Sequence, residues 1–324
     1  MEHIPLPIGP AEREASKLWE RTKLKESAPT SSVYTETHDE ISKEKLDDFR
    51  AYLGFEGFEE NKNLGESALE FIARNYELED FKKVGISKII YDNVIMYVYT
   101  PGIENEKKLY NREEYEKAKA NNELPEGDEW LRVRAHAISD RESEHFGDIK
   151  LFDTYDYPYE MPDVVKEADN KEEALLEYLL AHEIGHFYFK NLYATENGTG
   201  AQLERGILAN TEFGQFFFIK DDEGNMYYNP PGMGYLIDNP FTPYLKTRVK
   251  AIKPLYDECI IKGEFTDDFI LEYAEYFEEF FAESAALTKN MLPNKMNEIE
   301  KYFVYLYDNM ENIIHAKGEE HVQK

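Results

Sequence analysis

Cysteine is nearly absent from this sequence, and that limits the chemistry available to it. The one cysteine among 324 residues, Cys259, cannot form a disulfide within the chain. It also cannot supply the thiolate cluster of a structural zinc site or of an iron–sulfur centre. Any metal site in this chain must therefore be built from histidine and carboxylate side chains.

Long apolar runs are also missing. The N-terminal residues MEHIPLPIGPAEREASKLWERTK contain no continuous apolar stretch of the kind that a secretory signal requires. No later segment reaches the length of a membrane span. We therefore expect no membrane span and a cytoplasmic location, with secretion or export without a recognisable signal peptide as the alternative.

Positively charged residues are few. The chain has 37 Lys and Arg against 66 Asp and Glu, which gives a formal net charge of −29. Such a surface repels phosphate backbones, so we expect no direct binding to nucleic acid. The same field attracts cations and predicts that a protein or peptide substrate carries basic residues near the site of reaction.

The apolar pattern divides the chain into segments. Apolar residues make up 42% and aromatic residues 14% of the chain, a content typical of a folded protein. Residues 1–40 lack a sustained apolar period and are predicted to form an N-terminal extension. From residue 41, helices and then strands are predicted, followed by a long helix, a hairpin, a Gly/Pro/aromatic loop at 229–244 and a helical C-terminal third.

The strongest helical pattern, KEEALLEYLLAHEIGHFYFK, spans residues 171–190, with Asp169 or Asn170 as its N-cap. It is apolar on almost all sides, which predicts a buried helix. Within it, the residues from His182 to His186 match H-E-x-x-H, a pattern expected by chance only about 0.04 times in a chain of this composition. Residues four apart are offset by about 40° around a helix, so both imidazoles share one face.

This arrangement suits zinc. Zinc accepts neutral imidazole and carboxylate ligands in a tetrahedral site and leaves one position for water. Glu183, beside His182, is expected to act as the general base that takes a proton from the water and passes it to the leaving amine. The sequence therefore predicts a site for one zinc ion that serves peptide hydrolysis.

A third protein ligand is still required, and a later helix offers it. Glu279 and Glu283, in the run EFFAE, share a helix face, so one can bind zinc while the other accepts an N–H from a ligand histidine. Glu275 and Glu279 are also four apart and can play the same two parts. Helix geometry alone leaves both registers open.

H-E-x-G-H followed by E-F-F-A-E resembles the catalytic domain of anthrax lethal factor and its relatives, which include the Pro-Pro endopeptidases. These proteins are gluzincin zinc metallopeptidases. The resemblance implies that His182, His186 and Glu279 are the zinc ligands. It also implies that Glu183 is the general base and that Glu283 is the acid behind the ligands.

The resemblance also implies an oxyanion-stabilising tyrosine and a fold. The family places a tyrosine shortly before the third ligand, and Tyr273 and Tyr276 are the nearest here; we assign the role to Tyr273. The expected fold is α+β and zincin-like. A small twisted sheet and the active-site helix form the upper half (41–194), and a mostly helical lower half (195–324) completes one peptidase domain (41–324).

Three functions stay open. The first is a zinc-dependent endopeptidase, the second a cytoplasmic regulatory metallopeptidase that cleaves a repressor-type protein, and the third a catalytically silent zinc-containing binding module. For a peptidase, we expect DIKLFDTYD to be the edge strand that binds a peptide by β-addition, with the loop at 229–244 as a source of specificity. The remaining histidines are interpreted as surface or structural residues: His3, His38, His136, His145, His315 and His321.

Overall fold

The computed structural model describes residues 4–5, 41–99, 106–127, 129–156, 163–193, 218–220, 226–228 and 243–290. The chain divides into two compact units. One unit comprises residues 39–192, and the other comprises residues 1–38 together with 193–324. Of the predicted extension, residues 1–40, only the strand β1 (Ile4–Pro5) is described, and it pairs within the second unit.

The unit of residues 39–192 mixes helices and strands. Its helices are α1 (Lys43–Tyr52), α2 (Lys62–Asn75), α3 (Leu78–Val84), α4 (Arg112–Ala120), α5 (Asp163–Lys166) and α6 (Lys171–Tyr188). Its strands are β2 (Gly54–Glu56), β3 (Lys88–Asp92), β4 (Ile95–Tyr99), β5 (Lys107–Tyr110), β6 (Trp130–Val133), β7 (Ala135–Ala137) and β8 (Asp148–Phe152).

Four of these strands form a sheet in the order β2-β3-β8-β7. The first three are parallel, and β7 runs antiparallel to β8, with His136 opposite Lys150. Because β8 is flanked by β3 and β7, the prediction that DIKLFDTYD is the edge strand is wrong. In the described residues, the edge on this side is the short strand β7.

A second sheet, in the order β5-β4-β6, is antiparallel and packs against α4. Its buried centre contains Ile95, Tyr97 and Tyr115. The Arg132 guanidinium, 2% exposed, lies over the rings of Tyr97 and Tyr115. Arg132 also donates to the backbone carbonyls of residues 155 and 156, which fixes the chain segment that follows β8.

The helix α6 begins where its cap predicts. The Asn170 side chain accepts a hydrogen bond from the Glu173 backbone N–H at 3.3 Å, so Asn170 is the N-cap. From Leu175 to Tyr188 nearly every residue is buried, and the helix packs against α2, β7 and β8. The α-helix ends at Tyr188, two residues before the predicted end, and continues as a π-helical turn, Phe189–Tyr193.

The second unit contains the predicted hairpin, in which β9 (Phe218–Lys220) pairs antiparallel with β10 (Met226–Tyr228). The helix α7 (Pro243–Lys262) follows; it fits the predicted helical C-terminal third, although no individual helix was predicted over these residues. It starts inside the predicted loop at 229–244, of which residues 229–242 lie outside the described residues. Pro243 at the first helical position explains the start, since its fixed φ suits that position and no N–H is needed there.

A short strand, β11 (Glu264–Phe265), pairs with β1 and leads into the long helix α8 (Asp267–Asn290). The helices α7 and α8 pack against each other. The rest of the predicted helical C-terminal third, residues 291–324, lies outside the described residues. Among the residues described, no helix combines the length and the apolarity that crossing a membrane demands.

Candidate metal centre

The H-E-x-x-H residues lie in the buried half of α6. His182, Glu183 and His186 are 7%, 6% and 8% exposed. Their helix is capped by Asn170, has two acidic residues in its first turn and is surrounded by apolar side chains. Burying two imidazoles and a carboxylate on such a helix costs stability unless they find polar or ionic partners.

The two imidazoles converge. The Nε2 atoms of His182 and His186 are 3.2 Å apart, and the ring planes are inclined at 75°. Two nitrogen ligands of tetrahedral zinc, each about 2.0–2.1 Å from the ion, are about 3.3 Å apart. The spacing of the pair therefore suits zinc, although a hydrogen bond between the two rings has the same separation.

Glu183 lies between these two histidines in the sequence. Its side chain is buried, so it adds a buried carboxylate to the same stretch of helix. Burial lowers the pKa of the imidazole of His136 on β7, and the negative charge of Glu183 opposes part of that shift. The carboxylate therefore acts electrostatically on the edge strand. A general base at this position is close to the strand that a peptide would join.

His136 is a residue that the sequence analysis interpreted as surface or structural. The structure brings its strand, β7, against α6. The ring is exposed at the strand edge, yet neighbouring atoms remove part of its hydration, and this loss lowers its pKa. The charge of His186 and those of Lys107 and Lys150 lower the pKa further. The signal in the sequence was the short alternation Ala-His-Ala, which forms β7, a strand that contacts α6.

The π-helical turn after α6 is tied to the segment after β7. The Asn191 side chain donates to the Ser139 carbonyl oxygen at 3.2 Å. The side-chain oxygen Oδ1 of Asn191 accepts a hydrogen bond from Arg141 Nε at 2.8 Å. These two bonds connect the C-terminal end of the metal-site helix to the chain that leaves the edge strand.

Glu279 and Glu283 belong to α8, in the second unit. They are four positions apart in the sequence, so they lie about one turn apart on the helix. Glu279 is half-buried and Glu283 is 1% exposed. The role of Glu279 as third ligand and that of Glu283 behind it stay predictions.

Tyr273 and Glu275 also lie in α8, but their side chains are outside the described residues, so neither role is tested. The neighbouring Tyr276 is 2% exposed, and burial raises the pKa of its phenol. A phenol with a raised pKa stays protonated at neutral pH and keeps an O–H to donate.

Comparisons of the chain with models of protein families, with curated proteins and with solved structures found no match. The resemblance to lethal factor and the Pro-Pro endopeptidases therefore depends on the two short motifs and their order.

Proposed function

We propose that this protein is a zinc-dependent endopeptidase. The observation that supports this most is the pair of buried imidazoles whose Nε2 atoms converge to 3.2 Å beside a buried glutamate. His182 and His186 bind the ion in this proposal, and Glu279 is the third ligand. The zincin-like α+β fold is part of the same proposal, and the mixed α and β structure of residues 39–192 is consistent with it.

The chemistry divides between the ion and the chain. When bound, zinc supplies a Lewis acid that makes water a nucleophile at neutral pH. The Glu183 carboxylate takes a proton from the attacking water and releases it to the leaving amine. Its burial protects it from bulk water, which strengthens its interaction with that proton. Tyr273 is proposed to stabilise the oxyanion, and Glu283 to accept an N–H from a ligand histidine.

The strand β7 is proposed to bind the substrate. In the described residues it pairs on one side only, with β8, so its other edge can form main-chain hydrogen bonds with an extended peptide. Since β7 packs against α6, a peptide joined to that edge would extend the sheet that contacts the helix bearing the histidines. Strand addition fixes the direction and register of the peptide near Glu183.

The test begins with metal content. Purified protein should contain one zinc ion per chain, and His182→Ala and His186→Ala should each abolish tight binding. The matched control is His145→Ala, because His145 is exposed and lies outside the α6 motif. Stoichiometric zinc in the double mutant at 182 and 186 would contradict the proposed site.

Peptide cleavage tests the activity. Zinc-loaded protein should cleave members of a random peptide library, and Glu183→Gln should not. Cleavage of one regulatory protein with no cleavage of the library would instead favour the repressor-cleaving metallopeptidase. Zinc binding with no cleavage, and a biological activity that survives Glu183→Gln, would favour the catalytically silent module.

A further inference from the structure

The strand β7 has two chemically different faces. Ala135 and Ala137 pair with residues of β8 that are 1% exposed or less, so their small side chains face the core. His136 lies between them in sequence and points to the opposite face, where Lys150 is its partner across the strands. This outer face of the edge strand therefore presents an imidazole and an ammonium group side by side.

Among the described residues, Lys150 on this face has no ion-pair partner, and its charge acts on the His136 ring. Lys107, on β5 of the other sheet, also has no ion-pair partner there, and its charge acts on the same ring. Other cations of the same unit are paired, such as Lys88 with Glu56 at 2.9 Å. Unpaired lysines are notable in a chain with 66 acidic and 37 basic residues, because acidic partners are abundant.

The nearest acidic group along β8 on this face is Asp148, two residues from Lys150. It is 7% exposed, and its charge acts on Lys88, its partner on β3. The charge of Glu183 acts on His136, and that carboxylate is buried on α6. The exposed part of this face is therefore cationic, although acidic groups lie behind it.

A peptide added to the free edge of β7 would bring one side chain to this face. The residue directly opposite His136 directs its side chain to the same side, with Cβ atoms about 4.5–5.5 Å apart. The strand β8 is then about 10 Å from the added strand. A lysine and a glutamate side chain together span that distance.

We propose that the enzyme selects a substrate with aspartate or glutamate opposite His136, where the carboxylate is attracted by Lys150 and accepts a hydrogen bond from the imidazole. This inference rests on the proposed peptidase function and adds a substrate class to it. A neutral imidazole serves this purpose, since one of its ring nitrogens still carries a hydrogen.

The proposal concerns one position of the substrate. The net charge of −29 acts at long range and favours basic residues overall, whereas Lys150 acts over a few ångströms on the side chain opposite His136. Salt separates the two effects, because long-range attraction is screened beyond a Debye length of about 8 Å at physiological ionic strength. The local preference should persist at high salt.

The experiment compares peptides that differ only by Asp against Asn, or Glu against Gln, at each successive position. For wild-type protein, kcat/KM should be about 5- to 50-fold higher for the acid at one position, with the difference mainly in KM. Lys150→Glu should reverse that preference and favour a lysine there. The matched control, Lys83→Glu, makes the same change at an exposed lysine of the same unit on α3 and should leave the preference intact.

Equal cleavage of every acid and amide pair, or a preference that Lys150→Glu leaves unchanged, would overturn the inference and leave the proposed function standing. A peptide-binding experiment tests the substrate preference separately from the proposed peptidase activity. Glu183→Gln protein is titrated with fluorescently labelled acid and amide peptides, and binding is followed by anisotropy. Tighter binding of the acid peptide, lost in the double mutant with Lys150→Glu, supports the inference even if no cleavage is seen. Binding that is absent or independent of the peptide charge refutes it.

Discussion

Replacement of Glu183 by glutamine removes a negative charge from the buried half of α6 and changes almost nothing else. The amide has the shape of the carboxylate, and the site is only 6% exposed, so the packing around it is preserved. We expect the free energy of unfolding to change by no more than about 1 kcal/mol. We also expect the zinc content to stay at one ion per chain, since Glu183 is not among the proposed ligands.

The expected effect on hydrolysis is large. A positioned general base contributes about 10²- to 10⁴-fold to a rate. Here the loss should exceed about 10⁴-fold, because the same carboxylate also orients the water and its burial leaves little solvent to replace it. Each factor of ten corresponds to about 1.36 kcal/mol of activation free energy, so the barrier should rise by more than about 5.4 kcal/mol.

The assay measures kcat/KM for one cleaved peptide together with zinc content by mass spectrometry. The matched control is Glu144→Gln, which makes the same chemical change at an exposed position of the same unit. A Glu183→Gln protein that keeps its zinc and cleaves within tenfold of the wild-type rate would refute the role of Glu183. Loss of activity together with loss of zinc would show that the carboxylate is needed for metal binding instead.

Three further predictions concern the third ligand, the edge strand and the field of the protein. Glu279→Ala should abolish zinc affinity, and Glu283→Ala should weaken it by about 10- to 100-fold; equilibrium dialysis measures both. If Glu275→Ala abolishes zinc affinity and Glu283→Ala has no effect, the third ligand is Glu275, one helical turn earlier. Because the pKa of His136 is lowered in the folded protein, the unfolded state binds its proton more readily, so stability should fall as pH drops from about 6.5 through the folded pKa. Urea unfolding at pH 7.5 and 5 should show less of this loss in His136→Gln than in wild type, and an equal loss would contradict the shift. Cleavage sites mapped at low salt should be enriched in Lys or Arg away from the position opposite His136, with enrichment declining as salt rises; no enrichment at low salt would show that the shape of the cleft outweighs the field.

Periodicity was sufficient to locate the helix that carries the H-E-x-x-H residues. The apolar run and the cap at Asn170 are local signals, and both are present in α6. Its end was predicted two residues late because the pattern continues through Phe189, where the backbone changes from an α-helix to a π-helical turn. Such a change depends on contacts with distant residues such as Ser139, which periodicity does not contain.

The order of the strands was harder to predict from the sequence than the position of α6. The segment WLRVRAHAIS has the alternation of one strand, but Arg134 separates β6 from β7, and the two pieces belong to different sheets. The true edge strand has only three residues, while the apolar β8 has five and gives a stronger pattern. The position of His136 beside the metal-site helix follows from this order, so it could not be inferred from the spacing of histidines.

The helix α7 shows a second limit of prediction from local sequence. Pro254 lies inside it, and a proline within a periodic pattern normally predicts a helix end. Burial outweighs this cost, because Leu245, Ile252 and Cys259 are each 1% exposed or less. A buried apolar stripe thus stabilises a helix whose local sequence argues against it.

The two hydrogen bonds of Asn191 limit which substitutions are tolerated at this position. Its carboxamide donates to Ser139 and accepts from Arg141, and no other side chain of that length offers both a donor and an acceptor. Aspartate keeps the acceptor but brings its charge close to a carbonyl oxygen, and leucine keeps only the shape. Glutamine keeps both groups but is one methylene too long. Replacement of Asn191 should therefore cost about 1–2 kcal/mol of stability, although this residue is about one and a half helical turns from His186 and is not among the proposed ligands or catalytic residues.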